Sequence, residues 1–494
     1  MNHSIIFPVV IYLGGAFLLP LLYAKNDLLA GIVTSALTFL SFLVSVLLGL
    51  TVFTTGERIL YFAGGWQKPL GIALMVDPLS CLFLIITNFI AFLIAVYSIT
   101  YTKKHSRAAY FYVLFMLILA GMNGILISMD LFNIFVFFEI ASIASFVLVA
   151  FGLRAEELEA SLKYTVISFI ASTMILLGLA VVYGFTGTLN ITAFMRIAAG
   201  LPQTHLWFIL GLFLAGFAIK AALVPFHAWL PDAHSMAPAP VSALLSGLFI
   251  KVVGFYGIIR LATNIFGSIP QIRVVLLLFG ILSMVLGGLM AYGQKNIKRL
   301  LAYSTISQIG YCAIGLGIGG YLGYLGVLLH IISHAFSKSL LFLNIGAVEY
   351  MTGTTDSDKL KGLYDRMPYT TALASTGMFG IAGIPPMGNF WSKLIIIFAA
   401  VQAGYPGIAA LCVLVAVITL GYFLKLQRTV YYNKASDTAK MLEAPSGMLA
   451  PMTVLAFAAV FAGILLIPGI RSCCLDKAVG VMENFSYINV DIGD

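Results

Sequence analysis

The chain has 494 residues, of which 61% are hydrophobic and only 9% charged, with a mean hydropathy of +1.04. Soluble proteins carry about 25% charged residues, so a mainly water-soluble fold is excluded. The formal charge of +8 is spread over many loops without a continuous basic patch, which leaves nucleic-acid binding unsupported.

A membrane-spanning helix needs about 20 apolar residues. Such stretches recur at about 5–24, 28–53, 72–100, 110–128, 130–152, 162–185, 205–230, 238–263, 271–293, 299–319, 322–350, 370–400, 407–432 and 449–469. The expected fold is an all-α polytopic membrane protein with about 14 transmembrane helices. A β-barrel would show alternating segments of about ten residues, and these are absent. The first stretch begins MNHS, without Lys or Arg, and no A-x-A-like site follows, so it reads as a retained helix and not a signal peptide.

Basic residues gather in alternate loops: Lys25; Lys103, Lys104 and Arg107; Arg154 and Lys163; Lys295, Lys298 and Arg299; Lys359, Lys361 and Arg366; Arg428, Lys434 and Lys440. The opposite loops hold fewer, namely Arg58, Lys68, Arg196, Arg273, Arg471 and Lys477. Such an excess marks the cytoplasmic side, and an even helix count then puts both termini outside. The longest polar connectors, 351–369 and 433–448, are too short for a soluble domain, so function is expected within the bundle.

Cys81, Cys312 and Cys412 sit in apolar helices, and Cys473 and Cys474 are adjacent in the tail. No C-x-x-C spacing exists, so neither an iron–sulfur cluster nor structural zinc is indicated. No cofactor is expected, and redox chemistry would belong to a partner.

Two helices carry breaks: Pro225 in KAALVPFHAWLPDAH, and Pro385–Pro386 in GIAGIPPMGNFWSK. Proline removes a backbone donor and frees carbonyls that must be satisfied within protein or a wet cavity. Paired interrupted helices point to an internally repeated transporter with its ion site near the breaks; the bland alternative is a packing kink.

Four lysines, Lys220, Lys251, Lys338 and Lys393, and one acid, Glu139, interrupt apolar stretches. A charge at mid-membrane costs about 2.5–3.5 kcal/mol on insertion scales, so such groups face a polar or wet interior. Glu139 is the natural partner of Lys220, either as a switch or as a static pair locking two helices. His330, His334 and Lys338 recur at i, i+4 and i+8, one helical stripe about 12 Å long. A lysine one turn away repels a metal, so the stripe reads as a proton relay and not a zinc site. Ser304, Thr305, Ser307 and Gln308 could order water there, or serve as interhelical hydrogen bonds. Asp77, Asp130, Asp232 and Glu349 fall near helix ends, where solvated or capping roles are expected; Asp130 suits the positive start of the Glu139 helix.

At these residues the chain resembles the antiporter-like membrane subunits of complex I, membrane-bound hydrogenases and Mrp-type cation/proton antiporters. The matching stretches are GMNGILISMDLFNIFVFFEIASIASF, FAIKAALVPFHAWLPDAHSMAPAPVSALLSGLFIKVVGFYGIIR, HIISHAFSKSLLFLNIGA and GIAGIPPMGNFWSKLI. PFHAWLPDAH is similar to complex I and hydrogenase relatives; the Glu139 stretch is similar to Mrp D-type subunits. The chain lacks the long lateral helix that ends one type of complex I subunit.

The resemblance implies inverted five-helix repeats over about 110–263 and 271–432, after three helices in 1–109 and before a last helix and tail in 433–494. It further implies that Glu139 tunes Lys220, that Lys251, His334 and Lys338 continue a horizontal hydrated path, and that Lys393 ends it. The expected function is proton translocation, alone or in exchange for sodium, in a redox-driven complex in a prokaryotic cell membrane. Its partners would be homologous antiporter-like subunits and hydrophilic redox subunits. The alternative is a subunit of a Mrp-type sodium/proton antiporter. An enzyme binding its own quinone or metal lacks a motif, and a pure scaffold leaves five mid-membrane charges unexplained.

Overall fold

The structure, a computed structural model, describes residues 3–23, 26–66, 71–104, 108–266, 269–433 and 442–484. Lys25, Lys68, Arg107, Lys434 and Lys440 of the loop-charge pattern, and part of the 433–448 connector, lie outside the described residues.

The chain runs as α1 (Phe7–Tyr23), α2 (Asp27–Thr55), a hairpin of β1 (Ile59–Phe62) and β2 (Ala73–Val76), α3 (Pro78–Tyr101), α4 (Ala108–Ile127), α5 (Leu131–Val149) and α6 (Ala155–Thr186). Then come α7 (Ile191–Ala198), α8 (Gln203–Lys220), α9 (Trp229–Met236), α10 (Ala239–Leu244), a π-helical stretch Leu245–Tyr256, and α11 (Gly257–Arg260). The second half holds α12 (Gln271–Tyr292), α13 (Ile297–Ile318), α14 (Gly320–Thr352), α15 (Leu363–Arg366), α16 (Pro368–Ala382), α17 (Gly388–Gln402) and α18 (Pro406–Leu426). α19 (Ser446–Phe461), α20 (Pro468–Cys473) and α21 (Leu475–Glu483) close it.

Among the described residues, twelve helices are long and apolar enough to cross a membrane. The shorter α1 and the interrupted pair α16–α17 bring the crossings to fourteen. Two expected spans differ in detail. The stretch 72–100 opens with strand β2, because Pro78 starts α3 behind Asp77. The stretch 205–230 stops at Lys220, and the chain resumes as α9 from Trp229.

The ends of the helices sort the charges onto two sides. At one end Lys298 pairs with Glu349 at 2.7 Å, Arg299 with Asp232 at 2.6 Å, and Lys163 with the same Asp232 at 3.5 Å. Lys104 donates to the Tyr350 carbonyl beside them. At the other end Arg260 grips both Asp77 oxygens, and Lys477 of α21 donates to the Phe53 carbonyl. Lys104, Lys163, Lys298 and Arg299, from three of the basic loops, thus gather at one end.

Over an 18-residue apolar stretch of each helix, 94% of the residues are buried in Ala239–Ile265, α13 and α14, against 33–39% in α2, α6, α12, α18 and α19. The helices with Lys251, His330, His334, Lys338 and Gln308 sit at the centre, and the outer helices turn their apolar residues outward and their serines inward. That is the arrangement expected when lipid, not water, surrounds the protein.

Candidate functional site

Asp130 caps α5 by accepting from the Asn133 N–H at 2.9 Å, and two and a half turns later α5 presents Glu139. Glu139 is half-buried and takes a hydrogen bond from the Ser172 hydroxyl of α6. Lys220 is fully buried and donates to the hydroxyls of Ser142, at 2.7 Å, and Ser168. Glu139 and Lys220 therefore form no direct ion pair; α5 and α6 serines stand between them. The rings of Phe138, Phe146, Tyr164 and Phe249 surround the ammonium at 4.9–5.8 Å.

The break after Lys220 is built by several groups together. Ala222 adopts φ 53, and Val224–Pro225 is cis. Trp229 Nε1 donates to the Ile219 carbonyl at 2.8 Å, which also accepts from the Ala222 N–H at 3.1 Å, and the Val224 N–H donates to Ser283 Oγ at 2.9 Å. Gly254 of the π stretch lies against this break, where an added Cβ would meet the Ala221 nitrogen at 2.4 Å. A glycine is required for that approach.

The same π stretch carries Lys251, whose Nζ donates to the Ser246 carbonyl at 2.5 Å. Single π turns often mark functional sites, and this one runs for 12 residues. Ser246 Oγ meets Thr305 Oγ1 at 2.8 Å, which joins the stretch to α13. Thr305 Oγ1 also donates to the Leu301 carbonyl at 2.9 Å, and Lys338 donates to that same carbonyl at 2.8 Å and to Ser304 Oγ at 2.9 Å. Tyr422 of α18 donates to that same Ser304 at 2.9 Å.

His330, His334 and Lys338 do share a stripe of α14. The two imidazoles stack with centroids 5.9 Å apart, and Tyr311 stacks on His330 at 5.8 Å. His330 Nδ1 meets Ser392 Oγ of α17 at 2.9 Å. Lys393, the next residue, is buried and donates to the Ile381 and Ala382 carbonyls at 2.8 and 3.3 Å. Those are carbonyls freed where α16 ends. The second break, with cis Pro385–Pro386, thus holds a lysine on its exposed carbonyls.

The line has many polar atoms without a protein partner: both ring nitrogens of His334, His330 Nε2, both amide atoms of Gln308, Ser333 Oγ and Asn389 Oδ1. A buried polar atom left unsatisfied costs about 1–3 kcal/mol. Several of them cluster around the buried lysines, where a polar interior is the arrangement that would satisfy them. Ser304 and Thr305 engage the line directly, whereas Ser307 donates to the Met284 carbonyl, an interhelical tie.

The sequence reading missed some participants. Ser172 bonds Glu139, and Ser142 and Ser168 accept from Lys220; the i, i+4 serines of α6 were the available signal. His234 of α9 is buried between the Trp229 and Phe342 rings with neither nitrogen partnered. The helix-end acids are more tightly held than a solvated role implies. Asp77 does cap α3, but it is fully buried and bound by Arg260 at 2.7 and 2.8 Å. Among the described residues no three His, Cys, Asp or Glu side chains converge as metal ligands.

Residues 128–419, which contain every member of this line, match the family described as "NADH:quinone oxidoreductase/Mrp antiporter, TM". Residues 67–112 match "NADH-Ubiquinone oxidoreductase (complex I), chain 5 N-terminus". The chain belongs to the NADH:quinone oxidoreductase/Mrp antiporter family. It is 34% identical to the D-type subunit of the Na(+)/H(+) antiporter of Alkalihalophilus pseudofirmus, over 99% of both chains. It is 33% identical to the N-type subunit of the NADH-quinone oxidoreductase of Desulforudis audaxviator, over 83% of this chain and 85% of that one.

Two solved structures share the family fold across the whole molecule. A chain of the Mrp complex from Dietzia sp. DQ12-45-1b superposes with a TM-score of 0.91 at 26% identity, covering 100% of both chains. A chain of the membrane-bound sulfane sulfur reductase, an archaeal respiratory membrane complex, gives 0.91 at 31% identity and 99% coverage of both. Both relatives are parts of multisubunit membrane complexes, and this family member is likewise a multi-pass membrane protein.

Proposed function

We propose that this chain is the antiporter-like, ion-translocating subunit of a redox-driven membrane complex, moving protons alone or in exchange for sodium. The observation that carries the reading is the buried line Lys220, Lys251, Lys338, His334, His330 and Lys393, threaded with unpartnered polar groups. Burying one amine is costly, and four are tolerated only where water and hydroxyls can solvate whichever is charged.

Glu139 would set the state of Lys220 through the serines between them, favouring the charged amine when ionised. A proton released from Lys220 would pass to Lys251, then through Lys338 and the two histidines to Lys393. Neutral imidazole both donates and accepts, which suits a relay. The repeats over 110–263 and 271–432 would each supply one break and one end of the path. Homologous antiporter-like subunits and hydrophilic redox subunits are the partners this reading calls for.

A second reading, a subunit of a Mrp-type sodium/proton antiporter, is supported by the match along nearly the whole chain to a D-type antiporter subunit. The 31% identity to a chain of a respiratory complex supports redox drive. Purification of the native complex separates them: redox subunits mean the first, small helical subunits alone the second. In proteoliposomes the complex is expected to build a pH difference, and an assembled complex that moves no ion under either drive defeats both.

The orientation gives a further expectation. The side bearing Lys104, Arg154, Lys298, Arg299 and Lys361 would face the cytoplasm of a prokaryotic cell, with both termini across its inner membrane. A single cysteine at Ser357 should be shielded from an impermeant thiol reagent added to whole cells, and one at Ser472 labelled, in a background with Cys473 and Cys474 replaced. The reverse pattern overturns the assignment.

A further inference from the structure

On α18 and the π turn Gln427–Tyr431 that follows it, Lys425 and Arg428 line a cavity of about 520 Å³ together with Leu424, Thr429 and Asn433. It lies at the basic end of the bundle and adjoins a second cavity that Lys425 shares with Tyr292, Lys295 and Asp358. Asp358 is taken by Lys295 at 2.8 Å, which leaves Lys425 and Arg428 without a carboxylate partner among the described residues. The Lys425 ammonium sits 4.8 Å over the Tyr292 ring.

A third cavity, about 230 Å³, opens sideways lower on the same helix, between α17 and α18. Its lining includes Leu394, Ile397, Val413, Val417 and Leu420, together with Lys393. Val413, Val417, Leu420 and Leu424 fall at i, i+4, i+7 and i+11, one face of α18. That face leads from the basic cavity down to the groove. At about 1.5 Å per residue, Arg428 to Val417 spans about 16 Å, close to the depth of one hydrocarbon leaflet, about 15 Å. Val413, Val417 and Leu424 are 48%, 61% and 47% exposed, so the track faces the surroundings of the chain.

We propose that this face is a binding site for one anionic phospholipid of the leaflet on the basic side. Its phosphate sits between Lys425 and Arg428, and one acyl chain runs along Leu424 and Leu420 into the groove over Lys393. A basic cavity at the membrane surface recognises the headgroup charge, and a continuous apolar track receives the tail. The pairing of the two cavities on one helix face is what selects a lipid over a free anion, which would use only the upper one. An acyl chain there closes the sideways opening beside Lys393.

The test uses the intact complex in nanodiscs containing phosphatidylglycerol or phosphatidylcholine with a photoreactive group on the acyl chain. Labelling is expected on peptides holding Leu394–Ile397 and Val413–Leu420, at least threefold stronger for the anionic lipid. In the Lys425→Gln, Arg428→Gln double variant it should fall to the phosphatidylcholine level, while Lys359→Gln, Lys361→Gln leaves it unchanged. Equal labelling by the two lipids, which needs no variant, overturns the proposal. So does undiminished labelling in the double variant, or a groove that another subunit fills and no lipid labels.

Discussion

Replacing Lys220 by methionine is expected to slow ion translocation at least about tenfold, a barrier rise of about 1.4 kcal/mol or more, while the complex assembles at near-normal yield. The side chain lies fully buried among Ser142, Ser168 and four aromatic rings. Taking the charge out of such a place relieves a desolvation penalty, and methionine keeps the volume, so folding should not suffer. Transport should, because Lys220 links the Glu139–Ser172 end, through Ser168, to the π stretch with Lys251, whose Phe249 ring lies 5.8 Å from the Lys220 ammonium. Glu139→Gln should slow transport too, since it removes the charge that Ser172 orients. A static lock is the competing account. It predicts that the double Glu139→Gln, Lys220→Met variant transports normally, and normal proton uptake by that variant in proteoliposomes would sink the switch.

Lys393→Ala is expected to abolish transport as well, with a second effect that the geometry imposes. Its ammonium holds the Ile381 and Ala382 carbonyls at the end of α16. Hydrogen bonds to charged groups are worth about 1.5–3 kcal/mol each, so alanine should also lower the yield of assembled complex. Lys393→Gln separates the two roles, because an amide still donates to those carbonyls and cannot exchange a proton. The expected outcome is recovered yield and no recovered transport rate per assembled complex. If glutamine restores the rate, Lys393 serves only the break. Lys393→Glu is a poor substitute here, since a carboxylate would set acceptor against acceptor at both carbonyls.

Much of the site could be read from residue types alone. An amine in a run of twenty apolar residues has few explanations, and that is how Lys220, Lys251, Lys338 and Lys393 stand out. The stripe His330, His334, Lys338 follows from helical periodicity, and the stacked imidazoles agree with it. The capping role of Asp130 is likewise local, because its partner, the Asn133 N–H, is three residues away. What escaped were partners distant in the chain. Asp77 and Arg260 are 183 residues apart, and nothing in either stretch announces the other. The serines that separate Glu139 from Lys220 look like ordinary interhelical polar residues until three helices are packed together.

The sequence by itself determined the membrane class, the approximate number of crossings, the two broken helices and the four mid-membrane lysines. Each follows from a short-range cost: hydrocarbon excludes charge and unpaired backbone, so every exception shows as a local anomaly in an apolar run. The tertiary structure decided which groups touch. Packing put Gly254 against the first break, drew the chain around Lys251 into a π-helix, and laid Lys393 on the carbonyls of the second. Those outcomes depend on how close two helices can approach, and that distance is set by side chains on both helices at once.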